Sequence, residues 1–124
     1  MVKILIVEDN PMNRDMLTRR LKRVGHEICC AEDGPTGVAM AESERPDIIL
    51  MDIALGEMNG WEATQLIKAR ASTAQIPIIA LTAHALSSDR AKSREVGCAE
   101  FETKPVDLER LLAKIDACLP AAAA

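Results

Sequence analysis

The feature that most constrains this chain is an alternation, repeated five times, of a short apolar run and a longer amphipathic stretch. Short apolar runs separated by helical patterns are typical of βα units, and consecutive βα units build a parallel sheet. The predicted strands are Lys3 to Val7, Glu27 to Ala31, Ile48 to Met51, Ile78 to Leu81 and Glu100 to Thr103. Helices are expected between the strands and after the last one. The sequence therefore predicts an α/β fold.

The chain is long enough for one domain and too short for two. It has 124 residues, of which 48% are apolar, and a chain of this size builds a single core. The last predicted helix ends before Pro120, and only alanines follow. We therefore predict one domain over residues 1–119 and a short C-terminal tail over residues 120–124.

Start and stop signals bound the first predicted helix. Asn10 can cap its first turn, and Pro11 is favoured at the first helical position. Apolar residues recur on one face until Gly25 stops the pattern. The same helix carries a basic side, which is either solvated or a docking surface for an acidic protein. Its members are Arg14, Arg19, Arg20, Lys22 and Arg23.

The composition of the strands predicts their order in the sheet. The first, third and fourth strands are apolar on both faces, as strands covered by helices on both sides must be. The second and fifth strands carry polar residues and suit the edges. Right-handed crossovers then give a doubly wound sheet of order 2-1-3-4-5, with its ligand site at the carboxyl ends of strands one and three. Glu8, Asp9 and Asp52 follow those two strands.

Three carboxylates gathered at one point predict a cation site. They would repel one another and raise one another's pKa values unless a cation lay among them. An all-oxygen ligand set suits Mg²⁺, which completes its shell with water and phosphoryl oxygens. Thr82 and Lys104 follow the fourth and fifth strands, and they would supply a hydroxyl donor and a positive charge to a phosphoryl group.

Charge and composition argue against several classes of protein. The net charge of -4 argues against direct binding to nucleic acid, which needs a basic face. No apolar run approaches the length of a membrane span, and no signal peptide or membrane anchor is visible. The four cysteines form neither a CxxC pair nor a zinc-ligand pattern, so we expect reduced thiols in a cytoplasmic protein. The absence of a P-loop motif excludes a P-loop enzyme.

Four sequence fragments, taken in order, are KILIVEDNPMN, PDIILMDIALGEMNG, PIIALTA and FETKP. Each fragment alone is a weak signal, and together they are specific. With them the chain resembles the receiver domain of bacterial two-component response regulators, from Val2 to about Leu119. The resemblance implies the flavodoxin-like (βα)5 form of the doubly wound fold. It also implies a signalling domain that is not an enzyme with a separate substrate, but promotes its own phosphorylation and dephosphorylation.

The resemblance implies roles for the residues that match the family motifs. Asp52 would accept a phosphoryl group, and Thr82 and Lys104 would bind it. The donor would be a histidine kinase or a histidine phosphotransfer protein. Output would pass to a downstream protein partner, or the phosphoryl group would be relayed onward. No domain for DNA binding or catalysis is expected after Leu119.

The resemblance also implies the ligands of the cation. Glu8, Asp9 and Asp52 would hold Mg²⁺ together with the backbone carbonyl of Ala54. The charge of the ion and of a lysine would offset the repulsion between the acceptor carboxylate and the phosphoryl group. The peptide bond before Pro105 would be cis, as in the family.

Two positions weaken the match with the family. Gly56 stands four residues after Asp52, where receivers commonly have proline, so the loop over residues 53–59 is expected to be more mobile. Phe101 stands at the switch position and lacks a hydroxyl. It would fill space that Thr82 vacates on binding a phosphoryl oxygen, and an ordinary core role is the alternative.

A further residue, His84, would border the phosphate pocket.

Two other functions stay open on the residues alone. A flavin-binding electron carrier has the same strand order, but it needs a hydroxyl- and glycine-rich phosphate loop where this chain has EDNPMN. An aspartyl-nucleophile phosphatase needs an acid–base Asp two residues after its nucleophile, where this chain has Ala54. A signalling receiver is therefore the favoured interpretation.

Overall fold

Five strands alternate with five helices in the computed structural model, which describes residues 2–83 and 87–119. The strands are β1 (Lys3–Val7), β2 (Glu27–Ala31), β3 (Ile48–Asp52), β4 (Ile78–Thr82) and β5 (Glu100–Thr103). The helices are α1 (Pro11–Arg23), α2 (Gly34–Glu44), α3 (Gly60–Ala69), α4 (Ser87–Val96) and α5 (Leu108–Cys118). The predicted tail, residues 120–124, lies outside the described residues.

All five strands pair in parallel, in the order β2-β1-β3-β4-β5. The predicted fold class and strand order are thereby confirmed. β3 and β4 each run one residue further than predicted, to Asp52 and Thr82. The pairing continues over these residues, because Asp52 lies opposite Leu81 and Thr82 lies opposite Thr103. Two side chains that were expected to follow strands are therefore held by the sheet itself.

Helices cover the sheet on both faces, which explains why β3 and β4 are buried along their whole length and β1 is buried from Ile4 onward. Alternate side chains of a strand point to opposite faces. In β1, Leu5 and Val7 enter one core layer, and Ile4 and Ile6 enter the other. Residues of α2, α3 and α4 complete the first layer, and residues of α1 and α5 complete the second. The edge strands β2 and β5 are only partly buried, as their polar residues predicted.

Local signals define both ends of α1. The Asn10 side chain accepts hydrogen bonds from the backbone N–H groups of Met12 and Asn13, and Pro11 occupies the first turn. After the helix, Gly25 has a φ of 101°, which glycine adopts without a steric penalty. The chain then turns into β2. The predicted start and stop of this helix are confirmed.

The described residues contain no helix that is both long enough and apolar enough to cross a bilayer. The four cysteines are free thiols, and Cys98 is buried. The other three cysteines are half-buried and pack against the core.

The start of α3 packs directly against the end of β3. A Cβ atom added to Gly60 would lie 2.3 Å from the carbonyl oxygen of Asp52 and 2.7 Å from the Cα atom of Ile53. These are backbone atoms, so rotation of a side chain cannot relieve the clash. The Gly60 N–H group also donates to the Ile53 carbonyl oxygen at 3.0 Å. Gly60 therefore fixes α3 to the residues that end β3.

We expect Gly60→Ala to lower the free energy of unfolding by about 2 kcal/mol, because overpacking against well-fixed atoms typically costs about 1–3 kcal/mol. Denaturant unfolding followed by circular dichroism measures the change. Gly56→Ala is the matched control, since a Cβ atom there meets nothing within 4 Å. Equal destabilisation by the two substitutions would contradict the packing argument.

Candidate functional site

Three carboxylates meet at the carboxyl ends of β1 and β3, where the strand order reverses. Glu8 directly follows β1, Asp9 comes next, and Asp52 is the last residue of β3. One carboxylate oxygen of each residue lies within 4.8 Å of the other two. Glu8 and Asp52 are buried, whereas Asp9 is exposed. The cluster is therefore accessible from solvent on the side of Asp9.

Lys104 reaches this cluster from the end of β5. Its ammonium group donates to Glu8 Oε1 at 2.8 Å and to Asp52 Oδ2 at 3.1 Å. Its backbone N–H group donates to the Thr82 carbonyl oxygen at 2.7 Å, which continues the pairing of β4 with β5. The Lys104–Pro105 peptide bond is cis. Lys104 thus joins carboxylates that lie at the ends of two different strands.

Two backbone amides hold the buried carboxylates in place. The Asn10 N–H group donates to Glu8 Oε2 at 3.2 Å, and the Ala54 N–H group donates to Asp52 Oδ1 at 3.0 Å. Each carboxylate is therefore fixed by the loop that follows it. The main chain of Ala54 lies next to the cluster, and the role of its carbonyl as a ligand stays a prediction.

The cluster carries more negative than positive charge. Burial raises the pKa of Glu8 to about 7, and the neighbouring Asp52 carboxylate adds to this effect, although Lys104 opposes it. Desolvation lowers the pKa of Lys104, but its hydrogen bond with Glu8 and the charge of Asp52 outweigh desolvation, so this pKa lies above the ordinary 10.5. One ammonium group does not balance three carboxylates. The arrangement therefore favours an added cation.

The donor set fits a hard divalent cation such as Mg²⁺. It consists of oxygen atoms alone, and they already lie close to one another. Mg²⁺ is usually bound through one or two carboxylates and keeps several water molecules, so a site that is open on one side suits it. The residues present thus agree with the ion that the sequence predicted.

Thr82 and Phe101 lie on the neighbouring strands β4 and β5. Thr82 ends β4 and is 4% exposed. Phe101 lies opposite Ala80, is half-buried against the first core layer, and has the guanidinium carbon of Arg90 5.5 Å from its ring centre. A switch between Thr82 and Phe101 stays a prediction. His84 lies outside the described residues.

The structure places Arg14 away from the basic side to which the sequence assigned it. Its Nη1 atom donates to the backbone carbonyl oxygen of Glu8 at 2.8 Å. Only 18% of its side chain is exposed, compared with 76% for Arg19. Sequence periodicity does not separate the two arginines. The feature of the sequence that could have distinguished Arg14 is its position in the first turns of α1, closer in the chain to Glu8 than the other basic residues of this helix.

Comparison with known proteins points to one family. The family model described as "Response regulator receiver domain" matches residues 4–116. Protein PilH from Pseudomonas aeruginosa is 41% identical over 119 residues, which cover 96% of this chain and 98% of PilH. Two other curated relatives are longer, and this chain spans 49% of one and 25% of the other.

Solved structures share the fold over nearly the whole chain. Chemotaxis protein CheY4 from Vibrio cholerae has a TM-score of 0.90 at 28% identity, and the match covers 96% of this chain and 99% of that one. The receiver domain of a sensor histidine kinase from Pseudomonas aeruginosa PAO1 has a TM-score of 0.87 at 36% identity, with 94% and 95% covered. In that kinase domain a magnesium ion is coordinated in the active site cleft.

We expect the metal-free protein to lose stability as the pH rises from 4.5 to about 7. In this range the folded state keeps a proton on Glu8 that the unfolded state has released, because burial raises the folded-state pKa from 4.5 to about 7. Glu8→Gln removes this titration. In excess chelator at pH 8, the variant should exceed the parent in free energy of unfolding by about 2 kcal/mol.

Urea unfolding at pH 5 and pH 8, with chelator present, measures the effect. Glu32→Gln is the control, because it removes a carboxylate that is 79% exposed at the end of β2. Equal pH dependence in the parent and Glu8→Gln would show that Glu8 does not carry this proton.

Proposed function

The chain belongs to the family of response regulator receiver domains of two-component signalling, and on this basis we propose that Asp52 is its phosphoacceptor. The observation that carries the proposal is the convergence of Asp52 with two further carboxylates and Lys104. Within this cluster, Asp52 is the carboxylate that belongs to a central strand. A nucleophile held by the sheet meets an incoming phosphoryl group in a constant geometry.

In the proposed transfer, a carboxylate oxygen of Asp52 attacks the phosphorus atom of a phosphohistidine. The P–O bond forms as the P–N bond breaks, so Asp52 becomes an acyl phosphate. The donor imidazole keeps the bonding electron pair and takes up a proton. Acceptor and phosphoryl group are both negative, and the Lys104 ammonium group, 3.1 Å from Asp52, offsets their repulsion.

The carboxylates of Glu8, Asp9 and Asp52 would hold the Mg²⁺ ion that receiver domains bind in their active site, together with the carbonyl of Ala54. The chemistry supplied by the bound ion is neutralisation of the negative charge on carboxylate and phosphoryl oxygens. The mutual approach of the three carboxylates supports this assignment. Lys104 and the Thr82 hydroxyl would bind further phosphoryl oxygens. The same residues would let the domain promote its own phosphorylation and dephosphorylation.

The proposed donor is a histidine kinase or a histidine phosphotransfer protein that docks on α1. A cleft next to Lys104 runs between α1 and the residues after β5, and its apolar lining is Met16, Leu17, Pro105 and Val106. On the same helix Met12 is 81% exposed. Basic side chains continue this surface: Arg19, Arg20 and Arg23. Apolar groups with a basic rim suit a partner with acidic residues around its histidine.

Output is proposed to pass to a protein partner on the face formed by α4, β5 and α5, without direct contact to nucleic acid. When Thr82 moves to bond a phosphoryl oxygen, Phe101 fills the space that it leaves, so this face has two packings. Arg90 would move with the ring on which it lies. Residues 1–119 would form this signalling unit, in the cytoplasm.

We expect a small-molecule phosphodonor with Mg²⁺ to add one phosphoryl group to the parent protein and none to Asp52→Asn. The amide keeps the shape of the side chain but is a poor nucleophile. Intact-mass spectrometry measures the gain. Asp33→Asn is the matched control, since Asp33 is an exposed helix cap after β2. An undiminished gain in Asp52→Asn would refute the assignment, and phosphorylation in excess chelator would refute the role of the ion.

We expect Thr82→Ala to accept the phosphoryl group at Asp52 within a few-fold of the parental rate, yet to lose most of the structural response. Amide hydrogen exchange with and without a phosphoryl mimic such as beryllium fluoride measures that response in α4 and at Phe101. Thr82→Ser is the control, because it keeps the hydroxyl group. Protection changes confined to the loops around Asp52 in the parent would rule out the switch and favour phosphate relay.

A further inference from the structure

Arg14 binds the main chain of the carboxylate cluster instead of facing solvent. Its Nη1 atom donates to the Glu8 carbonyl oxygen at 2.8 Å, and its Nη2 atom lies 3.6 Å from Glu32 Oε1. Glu8 follows β1 and Glu32 follows β2. One guanidinium group on α1 therefore connects the ends of two adjacent strands. The proposed chemistry of the site does not assign it a role.

Hydrogen bonds connect Glu8 to Asn10 and to Arg14, and a third hydrogen bond connects Asn10 to Arg14. The Glu8 side chain accepts the Asn10 N–H group at 3.2 Å, and Asn10 caps α1. One turn later, Arg14 donates its backbone N–H group to the Asn10 carbonyl oxygen at 3.0 Å and returns its side chain to the Glu8 carbonyl. Both the side chain and the backbone of Glu8 are thus held from α1.

The Glu8 carbonyl oxygen belongs to the same planar peptide unit as the N–H group of Asp9. A hydrogen bond to this oxygen therefore fixes the orientation of the peptide plane that leads into Asp9. Asp9 is exposed and, unlike Glu8 and Asp52, accepts no backbone N–H bond among those found in the described residues. The orientation of Asp9 thus depends on its backbone, which Arg14 restrains.

We propose that Arg14 is a positioning residue for the cation site, which directs Asp9 toward Glu8 and Asp52 by fixing the peptide plane between Glu8 and Asp9. This inference rests on the proposed function, since it takes these carboxylates as Mg²⁺ ligands. Groups that orient metal ligands from outside commonly change metal affinity by about 10–100-fold when they are removed.

The direction in which Mg²⁺ affinity changes when Arg14 is removed distinguishes a positioning role from a purely electrostatic one. A positive side chain near three carboxylates repels a cation, so its removal should tighten Mg²⁺ binding if charge were its whole contribution. Loss of a positioning contact should weaken Mg²⁺ binding instead. A purely structural role of Arg14 would lower the stability of the fold and leave the Mg²⁺ affinity of the folded protein unchanged.

The experiment compares Arg14→Ala and Arg14→Gln with Arg20→Ala, which removes the same charge from an exposed position on α1. Isothermal titration with Mg²⁺ measures the affinity, and amide exchange in chelator reports on residues 8–10. We expect the Arg14 variants to bind Mg²⁺ about tenfold more weakly and to exchange faster at residues 8–10. Arg20→Ala should match the parent. Parental or tighter Mg²⁺ binding in a folded Arg14 variant would overturn the inference.

The parent protein provides a measurement that needs no variant. In nitrogen-15 NMR spectra, the guanidinium signals of Arg14 should be resolved and should shift on addition of Mg²⁺, while those of Arg20 should not. Averaged Arg14 signals that ignore Mg²⁺ would overturn the inference on their own. If the parent binds no Mg²⁺ at all, the proposed function fails; if it binds Mg²⁺ and the Arg14 results are negative, only the role of Arg14 fails.

Discussion

The contact of one ammonium group with two buried carboxylates is the interaction on which this site depends. Glu8 and Asp52 would be costly to bury as unpaired anions. Lys104 pairs with both of them, although it lies 96 and 52 residues away in the chain. The parallel sheet makes this contact possible because it brings the carboxyl ends of β1, β3 and β5 to one edge. The negative charge that Lys104 does not neutralise makes this end of the sheet favourable for a cation.

The order of the sheet was predictable because burial and polarity were encoded strand by strand. β3 and β4 are apolar up to their last residues and lie in the centre, whereas β2 and β5 carry polar residues and lie at the edges. The ends of β3 and β4 were less predictable. Asp52 and Thr82 are polar and were expected in loops, but backbone pairing with the neighbouring strands includes them. A hydropathy pattern reflects the side chains, whereas strand pairing depends on backbone hydrogen bonds. The pattern therefore does not show where pairing ends.

The same distinction decides which site residues the sequence could indicate. Glu8, Asp9, Asp52, Thr82 and Lys104 could be named because each lies at the end of a strand, and strand ends converge. Arg14 could not be named, because helical periodicity assigns it to the polar side and says nothing about where a long side chain turns. The backbone N–H groups of Asn10 and Ala54, which hold the carboxylates of Glu8 and Asp52, could not be named either. Every residue except proline carries such a group, so the sequence does not single these two out.

The close approach of Gly60 to Asp52 has a consequence for the entropy of the proposed phosphoryl transfer. The loop from Ile53 to Gly60 is hydrogen-bonded at its two ends, Leu55 is buried within it, and Met58 packs onto Gly34. The mobility expected from Gly56 stays a prediction. Ordering the residues that make these contacts costs conformational entropy, and that loss occurs during folding instead of at each encounter with the proposed donor. The proposed acceptor, Asp52, is therefore preorganised. In the proposed transfer, more of the free energy of donor binding would then be available to align the phosphoryl group for attack.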